Sequence, residues 1–197
     1  MKDYGFFAII LTGIFTNNYI LSKFLGICPF LGVSKKTKTA VGMSLAVIFV
    51  MVMATAATYP LNTFLDKHDL SYLQTIVFIL VIATLVQFVE ITLRKFIPSL
   101  YSALGIYLPL ITTNCAILGV TILNIDEQLS YGQSLVNAVA CGLGYLVAMV
   151  MFSGVRERLE SAEIPKFLKG LPSTLVAASL VSLSFLGFTG LVEGIFG

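Results

Sequence analysis

Charged side chains are scarce in this sequence. Only 11% of its 197 residues are Asp, Glu, Lys or Arg, whereas 57% are hydrophobic; soluble domains carry about 25% charged residues. The charges stand in short clusters between apolar runs of roughly 18 residues or more, a length that predicts helices able to cross a bilayer. These features exclude an ordinary soluble domain and predict an all-α integral membrane protein.

Motifs for nucleotide binding and for hydrolytic catalysis are also lacking. The sequence has no phosphate-binding glycine loop, no dinucleotide fingerprint and no catalytic triad pattern. Its single histidine, His68, cannot build a metal site alone. We therefore expect no complete active site in this chain and no nucleic-acid partner, and NAD or flavin would have to bind elsewhere.

Six apolar segments predict six transmembrane helices in a single membrane domain of residues 1–197. Only Lys2 and Asp3 precede the first segment, and no small-residue cleavage site follows it, so we interpret it as a span rather than a signal peptide. Clusters of charges and turn residues separate the spans. The predicted spans are residues 4–27, 39–60, 72–93, 100–124, 131–153 and 172–193.

Basic residues are distributed unevenly over the loops between these spans. The first, third and fifth loops hold nine of them, and the opposite side holds only Lys2 and Lys67. The nine are Lys35, Lys36, Lys38, Arg94, Lys95, Arg156, Arg158, Lys166 and Lys169. By the positive-inside rule, loops 1, 3 and 5 of this multi-pass chain are cytoplasmic and both termini lie outside.

A short repeat divides the sequence into halves. Residues 28–33, CPFLGV, match residues 115–120, CAILGV, at four of six positions, 87 residues apart. Each copy belongs to the first predicted span of its half, so repeat 1 covers about 1–98 and repeat 2 about 99–197. Because each half has three spans, the second half enters the membrane from the opposite side, which predicts two inverted three-helix repeats.

The first and fourth predicted spans are expected to be discontinuous helices. Pro29 and Pro109 interrupt them, and several glycines lie nearby. Helical counting alone would put Cys28 near the cytoplasmic edge and Cys115 in the outer half, so only broken helices would bring the two cysteines to one level. Irregular backbone at membrane depth persists only where protein or a cavity shields it. We therefore expect both breaks to face the protein interior.

Cys28 and Cys115 are the candidate metal ligands. Thiolates bind soft metals and iron–sulfur clusters, and a [2Fe–2S] cluster usually takes four cysteine ligands. Two cysteines related by the repeat would supply half of that set, and a similar neighbouring chain would supply the rest. The competing interpretation is that each is a small buried hydrophobe. A two-cysteine zinc site is a weaker alternative, since structural zinc takes four ligands.

Other intramembrane polar residues have alternative interpretations. Cys141 lies among small residues that let helices approach closely, so we interpret it as a packing residue. Glu90 is a carboxylate inside a span, which makes it a candidate for an ion path, although pairing with Arg94 at i, i+4 is the favoured interpretation. Asn114 is a second ion-path candidate. Its alternative role is to form hydrogen bonds with backbone groups that lose their helical partners at the break.

Three segments carry a resemblance to a known family. Residues 17–36, NNYILSKFLGICPFLGVSKK, residues 104–116, LGIYLPLITTNCA, and residues 156–165, RERLESAEIP, resemble the first span, the fourth span and the fifth loop of the A-type membrane subunits of Rnf complexes. The resemblance extends over essentially the whole chain. It implies a membrane subunit of an ion-translocating ferredoxin:NAD oxidoreductase complex.

The resemblance also implies a cofactor and partners. In the family, the cysteines that match Cys28 and Cys115 hold a [2Fe–2S] cluster together with two cysteines of the paralogous E-type membrane subunit. Ferredoxin and NAD bind other subunits of the complex, and electron transfer is coupled to movement of Na⁺ or H⁺. The resemblance thus predicts an electron-relay subunit without a complete active site of its own.

Two other functions remain open at this point. Sodium-pumping NADH:quinone reductases have a corresponding six-helix subunit, although Pro29 and the compact linker of residues 124–131 favour the Rnf branch. A small secondary transporter with inverted repeats and incidental cysteines would share the same architecture.

Overall fold

Helices account for most of the structure, a computed structural model that describes residues 10, 13–14, 18–96, 108–163, 165 and 168–196. No β-strand occurs in these ranges. The helices are α1 (Ile27–Val33), α2 (Thr37–Lys67), α3 (Gln74–Phe96), α4 (Leu108–Thr112), α5 (Cys115–Asp126), α6 (Tyr131–Ser161) and α7 (Leu171–Phe196), with a 3₁₀ turn at Ser71–Leu73 before α3. The all-α prediction is confirmed for this part of the chain.

Three of these helices, α2, α3 and α6, are long and apolar enough to cross a membrane. Shorter apolar helical segments lie at Leu110–Asp126 and Leu171–Gly187. Large apolar side chains of α3 are exposed on the surface of the chain, among them Ile76, Leu80 and Phe88. An exposed apolar face of this kind suits contact with lipid tails, which agrees with an integral membrane protein.

Antiparallel packing of α2 against α6 forms the centre of the bundle. At one end the hydroxyls of Thr37 and Ser153 are 2.8 Å apart, and at the other the rings of Tyr59 and Tyr131 meet edge to face, with centroids 5.3 Å apart. Gly142 allows the close approach, because a Cβ there would lie 2.8 Å from Cγ1 of Ile48. Small residues thus position these two helices, as helix packing in membranes generally requires.

The first predicted span, 4–27, is not helical over its described C-terminal part, which agrees with the expected discontinuous helix. Residues 18–26 form turns, and α1 begins only at Ile27. The Asn18 side chain favours this conformation, since its Oδ1 accepts hydrogen bonds from the backbone N–H groups of Ile20 and Leu21. Asparagine competes with helical hydrogen bonding in this way. Residues 4–9, 11–12 and 15–17 of the predicted span lie outside the described residues.

The fourth predicted span, 100–124, is interrupted at Thr113 and Asn114, where α4 ends and α5 begins. Asn114 is the N-cap residue of α5, and its Oδ1 accepts a hydrogen bond of 3.0 Å from the N–H of Ala116. Both segments are therefore interrupted, but at residues 18–26 and 113–114; Pro29, expected to interrupt the first, lies inside α1, where a proline near the helix start is tolerated. Pro109 lies in α4. Residues 100–107 of the predicted span lie outside the described residues.

Helices α2, α3, α6 and α7 correspond to the other four predicted spans, with shifted ends. The most important correction concerns α6, which continues to Ser161 rather than ending near 153. Arg156 and Arg158, assigned to the fifth loop from the sequence, therefore lie on this helix. Similarly, α2 passes through Pro60 and continues to Lys67. Both helices thus continue beyond the apolar segments. The predicted ends had been set by the first charged residues, which do not end a helix.

Arg156 joins α6 to the short helix α1. Its side chain is buried and donates hydrogen bonds to the carbonyl oxygen of Leu31 and, at 2.9 Å, to Oγ of Ser34. The last carbonyl groups of a helix lack partners within the helix, and a cation placed there is favourable. The ring of Phe30 stacks on that of Phe152 one helical turn earlier, with centroids 4.2 Å apart. Arg156 and Phe152 together fix the segment that carries Cys28.

Replacement of Arg156 by Met should destabilise the protein by about 1–3 kcal/mol, because the carbonyl of Leu31 and the hydroxyl of Ser34 lose their buried donor. Thermal unfolding in detergent measures this as a lower midpoint temperature. The matched control is Arg158→Met, since Arg158 is exposed on the same helix. Equal midpoints for the two variants would contradict the role given to Arg156.

Gly26 ends the turn before α1 in a left-handed conformation, with φ of 85°. A Cβ at this position would lie 3.1 Å from both Cβ of Ala116 and Cε2 of Tyr145, and 3.2 Å from Oδ1 of Asn114. The conformation and the close neighbours both favour glycine. Gly26 thereby brings the end of the first helix break against the start of α5.

Gly26→Ala should lower stability by at least about 1–2 kcal/mol, the cost of a left-handed conformation for a residue with a Cβ. The same unfolding measurement applies. Gly154→Ala is the control, because Gly154 is helical and has no atom within 4 Å of its would-be Cβ. A Gly26 variant as stable as the Gly154 variant would show that the turn does not need glycine.

Candidate functional site

The two candidate cysteines lie immediately after the two helix breaks. Cys28 is the second residue of α1 and is exposed, whereas Cys115 is the first residue of α5 and is half-buried. Cys141, by contrast, is 1% exposed within α6, and its thiol donates to Oδ1 of Asn137 across 3.4 Å. Burial among neighbouring helices agrees with the packing role expected for Cys141.

A direct contact brings the two cysteine segments together. The backbone N–H of Gly26 donates a hydrogen bond of 2.8 Å to Sγ of Cys115. Because Gly26 precedes Cys28 by only two residues, standard backbone dimensions place Cα of Cys28 within about 12 Å of Sγ of Cys115 at most. Helical counting had separated the two residues by much of the membrane thickness. The breaks remove that separation.

The environment of this cysteine pair is largely buried and contains polar groups. Tyr145 of α6 is completely buried beside Gly26, where its Cε2 would lie 3.1 Å from a Cβ on that glycine. The Tyr145 hydroxyl and Nδ2 of Asn114 are buried without a hydrogen bond of normal geometry among the described residues. The site therefore offers two thiols, one backbone donor and two polar side chains with capacity for further hydrogen bonds.

Two thiols do not make a complete metal site. Within the described ranges, no group of three or more His, Cys, Asp or Glu residues is arranged to hold a metal ion. The exposure of Cys28 leaves its sulfur accessible from outside this chain. Any four-ligand centre at this position would need ligands from elsewhere.

The two candidates for an ion path lie in different environments. Glu90 is half-buried on α3, and Arg94 is exposed on the same helix; the proposed pairing of these residues stays a prediction. Asn114 is 4% exposed and caps α5, as its alternative interpretation proposed, and its place on an ion path stays a prediction. Asn114 also adjoins Cys115 in sequence, which places its amide at the cysteine site.

A cavity of about 360 Å³ lies near the C-terminal end of α2. Neither cysteine lines it. Its lining combines the end of α2 with the end of α5 and the residues that follow it, and is mainly polar. Within it, Nδ2 of Asn62 donates a hydrogen bond of 2.9 Å to Oδ2 of Asp66. The lining residues are Tyr59, Asn62, Thr63, Asp66, Ile125, Gln128 and Leu129.

Sequence reasoning missed a buried row of polar side chains between α5 and α6. Asn137 donates to Oδ1 of Asn124 at 2.7 Å, and Nδ2 of Asn124 donates to the carbonyl of Ser134 at 3.3 Å. The helical spacing of residues 134, 137 and 141 could have indicated one polar stripe on α6. Tyr145 continues this spacing one turn later, but no sequence signal placed its ring beside the Gly26 turn.

The comparisons with known proteins agree on one family. The family model described as "Rnf-Nqr subunit, membrane protein" matches residues 6–192. The chain is 54% identical over 187 residues to the A-type subunit of the Na⁺-translocating ferredoxin:NAD⁺ oxidoreductase complex of Acetobacterium woodii, with 94% of this chain and 97% of the relative covered.

Two further relatives are described as A-type subunits of an ion-translocating oxidoreductase complex. The protein from Syntrophotalea carbinolica is 52% identical over 187 residues, covering 94% of this chain and 97% of the relative. The protein from Psychromonas ingrahamii is 49% identical over 194 residues, covering 98% and 100%. With a family model that matches nearly all of its residues and relatives of this similarity, the chain belongs to the Rnf-Nqr family of membrane subunits.

Proposed function

We propose that this chain is an electron-relay subunit of an ion-translocating ferredoxin:NAD oxidoreductase complex and holds half of a [2Fe–2S] cluster through Cys28 and Cys115. The observation that carries the proposal is the hydrogen bond from Gly26 to Cys115, which joins the two cysteine segments. The names of the relatives support an oxidoreductase subunit in a multi-subunit complex.

The residues present fit such a cluster. Thiolates are its usual ligands, and hydrogen bonds to the sulfur atoms are among the features that set the properties of iron–sulfur sites. The Gly26 N–H supplies such a donor, and the left-handed turn at Gly26 orients it. When bound, the cluster would accept one electron and release it again. Burial of Tyr145, Asn114 and Ala116 keeps water away from one side of the site.

The missing ligands point to a second chain. A symmetrical partner would bring two cysteines to the exposed side of Cys28, which agrees with the paralogous E-type membrane subunit as partner. The cluster would then lie at the interface of the two subunits. In this arrangement neither chain could retain it alone.

The architecture we propose has six transmembrane helices in two inverted three-helix repeats, residues 1–98 and 99–197. The similar order of a helix break followed by a cysteine in each half supports it. The antiparallel α2–α6 pair groups the first loop with the end of α6, and the end of α2 with the start of α6. With both termini outside, the basic first loop and the end of α6 face the cytoplasm.

Coupling to ion movement is the remaining part of the proposal. The relative from Acetobacterium woodii is named for Na⁺, whereas the others are named only for ion translocation. Electron transfer at the cysteine site would be coupled to Na⁺ or H⁺ transport. The ferredoxin named for that relative favours the Rnf branch over a quinone reductase, and no observation favours an independent solute transporter.

Cys28→Ser and Cys115→Ser should each abolish the cluster, since an alkoxide replaces a thiolate ligand poorly. Iron content and the electron paramagnetic resonance difference spectrum of the purified complex measure this loss, together with the rate of ferredoxin:NAD oxidoreduction. Both variants should lose the signal and most of the rate. The whole complex is needed because the cluster is shared.

Cys141→Ser is the matched control. A serine there keeps a hydrogen-bond donor for Oδ1 of Asn137, so iron, spectrum and rate should stay near wild type. A complex with Cys28→Ser that kept its full iron content and rate would contradict the proposed ligand set.

A further inference from the structure

Tyr145 presents a buried hydroxyl that the fold itself does not use. The side chain is 0% exposed on α6, and its oxygen makes no hydrogen bond of normal geometry among the described residues. A buried hydroxyl without a partner is unfavourable relative to a phenyl ring of the same shape. Packing alone would therefore be served better by phenylalanine at this position.

The surroundings of this hydroxyl belong to the cysteine site. Cε2 of Tyr145, which is bonded to the carbon that carries the hydroxyl, would lie 3.1 Å from a Cβ on Gly26. Gly26 donates to Sγ of Cys115. Oδ1 of Asn114 would lie 3.2 Å from the same Cβ, so the Tyr145 ring and the Asn114 amide both border the turn that precedes Cys28. The hydroxyl makes no hydrogen bond to either sulfur in this structure, but the Gly26 turn that joins the two cysteine segments packs against its ring.

The Asn114 amide determines which role the hydroxyl can take. Nδ2 of Asn114 is a buried donor that also lacks a partner among the described residues, while its Oδ1 is engaged with the N–H of Ala116. An amide N–H can only donate, so Nδ2 of Asn114 cannot accept the hydroxyl hydrogen of Tyr145. That hydrogen remains available to a sulfur. Neutral thiols are weak acceptors, but thiolates accept charge-assisted hydrogen bonds.

We propose that Tyr145 is a positioning residue whose hydroxyl donates a hydrogen bond to a thiolate of the Cys28–Cys115 pair and thereby raises the reduction potential of the centre those thiolates hold. This inference rests on the function proposed above. A hydrogen-bond donor stabilises the more negative, reduced state more than the oxidised one, which shifts the midpoint potential upward. Its removal lowers that potential.

The test is Tyr145→Phe in the purified whole complex, with the cluster signal followed by electron paramagnetic resonance in a redox titration. The variant removes one oxygen that has no partner in the described part of the fold, so folding is expected to be unimpaired. Tyr131→Phe is the matched control. Tyr131 starts the same helix, is 45% exposed and lies about 21 Å along the axis from Tyr145.

The expected result is a lower midpoint potential for Tyr145→Phe than for wild type and Tyr131→Phe, with equal iron content and thermal stability in all three. An unchanged midpoint in an iron-replete Tyr145 variant would overturn the inference. Loss of iron or of thermal stability without a shift in potential would also overturn it, since those effects indicate a structural role.

Failure of the proposed function gives a different result. In that case the titrated signal would persist in the complex that carries Cys28→Ser, whatever Tyr145→Phe does. An unchanged midpoint for Tyr145→Phe together with a signal that depends on Cys28 would reject only the role of the tyrosine.

Discussion

The structure depends on how two interruptions of helix are stabilised in a chain that is mostly apolar. Backbone N–H and C=O groups that leave a helix inside a bilayer find no water to bind, so the protein must supply partners. Asn18 and Asn114 do so with their side-chain oxygens, and Nδ2 of Asn18 reaches the carbonyl of Gly144 on α6 at 2.9 Å. These contacts hold irregular backbone against α6. The positions of the cysteines follow from them, since each cysteine lies just beyond an interruption.

The same constraint explains why α6 has small and polar residues at its centre. A Cβ on Gly144 would lie 2.9 Å from the carbonyl oxygen of Gly13, so α6 packs closely on the first segment of the chain. Arg156, near the end of the helix, holds the terminus of α1. One long helix therefore orients both the start and the end of the segment that carries Cys28. The iron-binding geometry that we propose is a consequence of this packing.

Much of this arrangement could be predicted from the sequence, for identifiable reasons. Apolar runs separated by charges indicated the long helices, and the repeated cysteine segments indicated the two interrupted ones. Helix ends were less predictable, because Arg156 and Arg158 continue α6 where charge suggested a loop. Charge marks the end of an apolar span, but not the end of a helix. The first break was expected at Pro29 but lies at residues 18–26, where the Asn18 side chain competes with helical hydrogen bonds.

The contacts within the site could not be predicted in the same way. The N–H of Gly26 meets Cys115 only through packing between residues 89 positions apart along the chain, and Tyr145 reaches the site from a different helix again. Periodicity can place Tyr145 on the polar stripe of α6, but it cannot specify which segment that stripe faces. Burial of unpartnered donors becomes evident only when all neighbours are in place.

The most direct test of this account is an electron cryo-microscopy map of the whole complex at a resolution that shows side chains. We expect continuous density that joins the sulfur atoms of Cys28 and Cys115 to two sulfur atoms of a neighbouring subunit. Two separated thiols packed among apolar side chains, with no bridging density and no subunit facing Cys28, would contradict it.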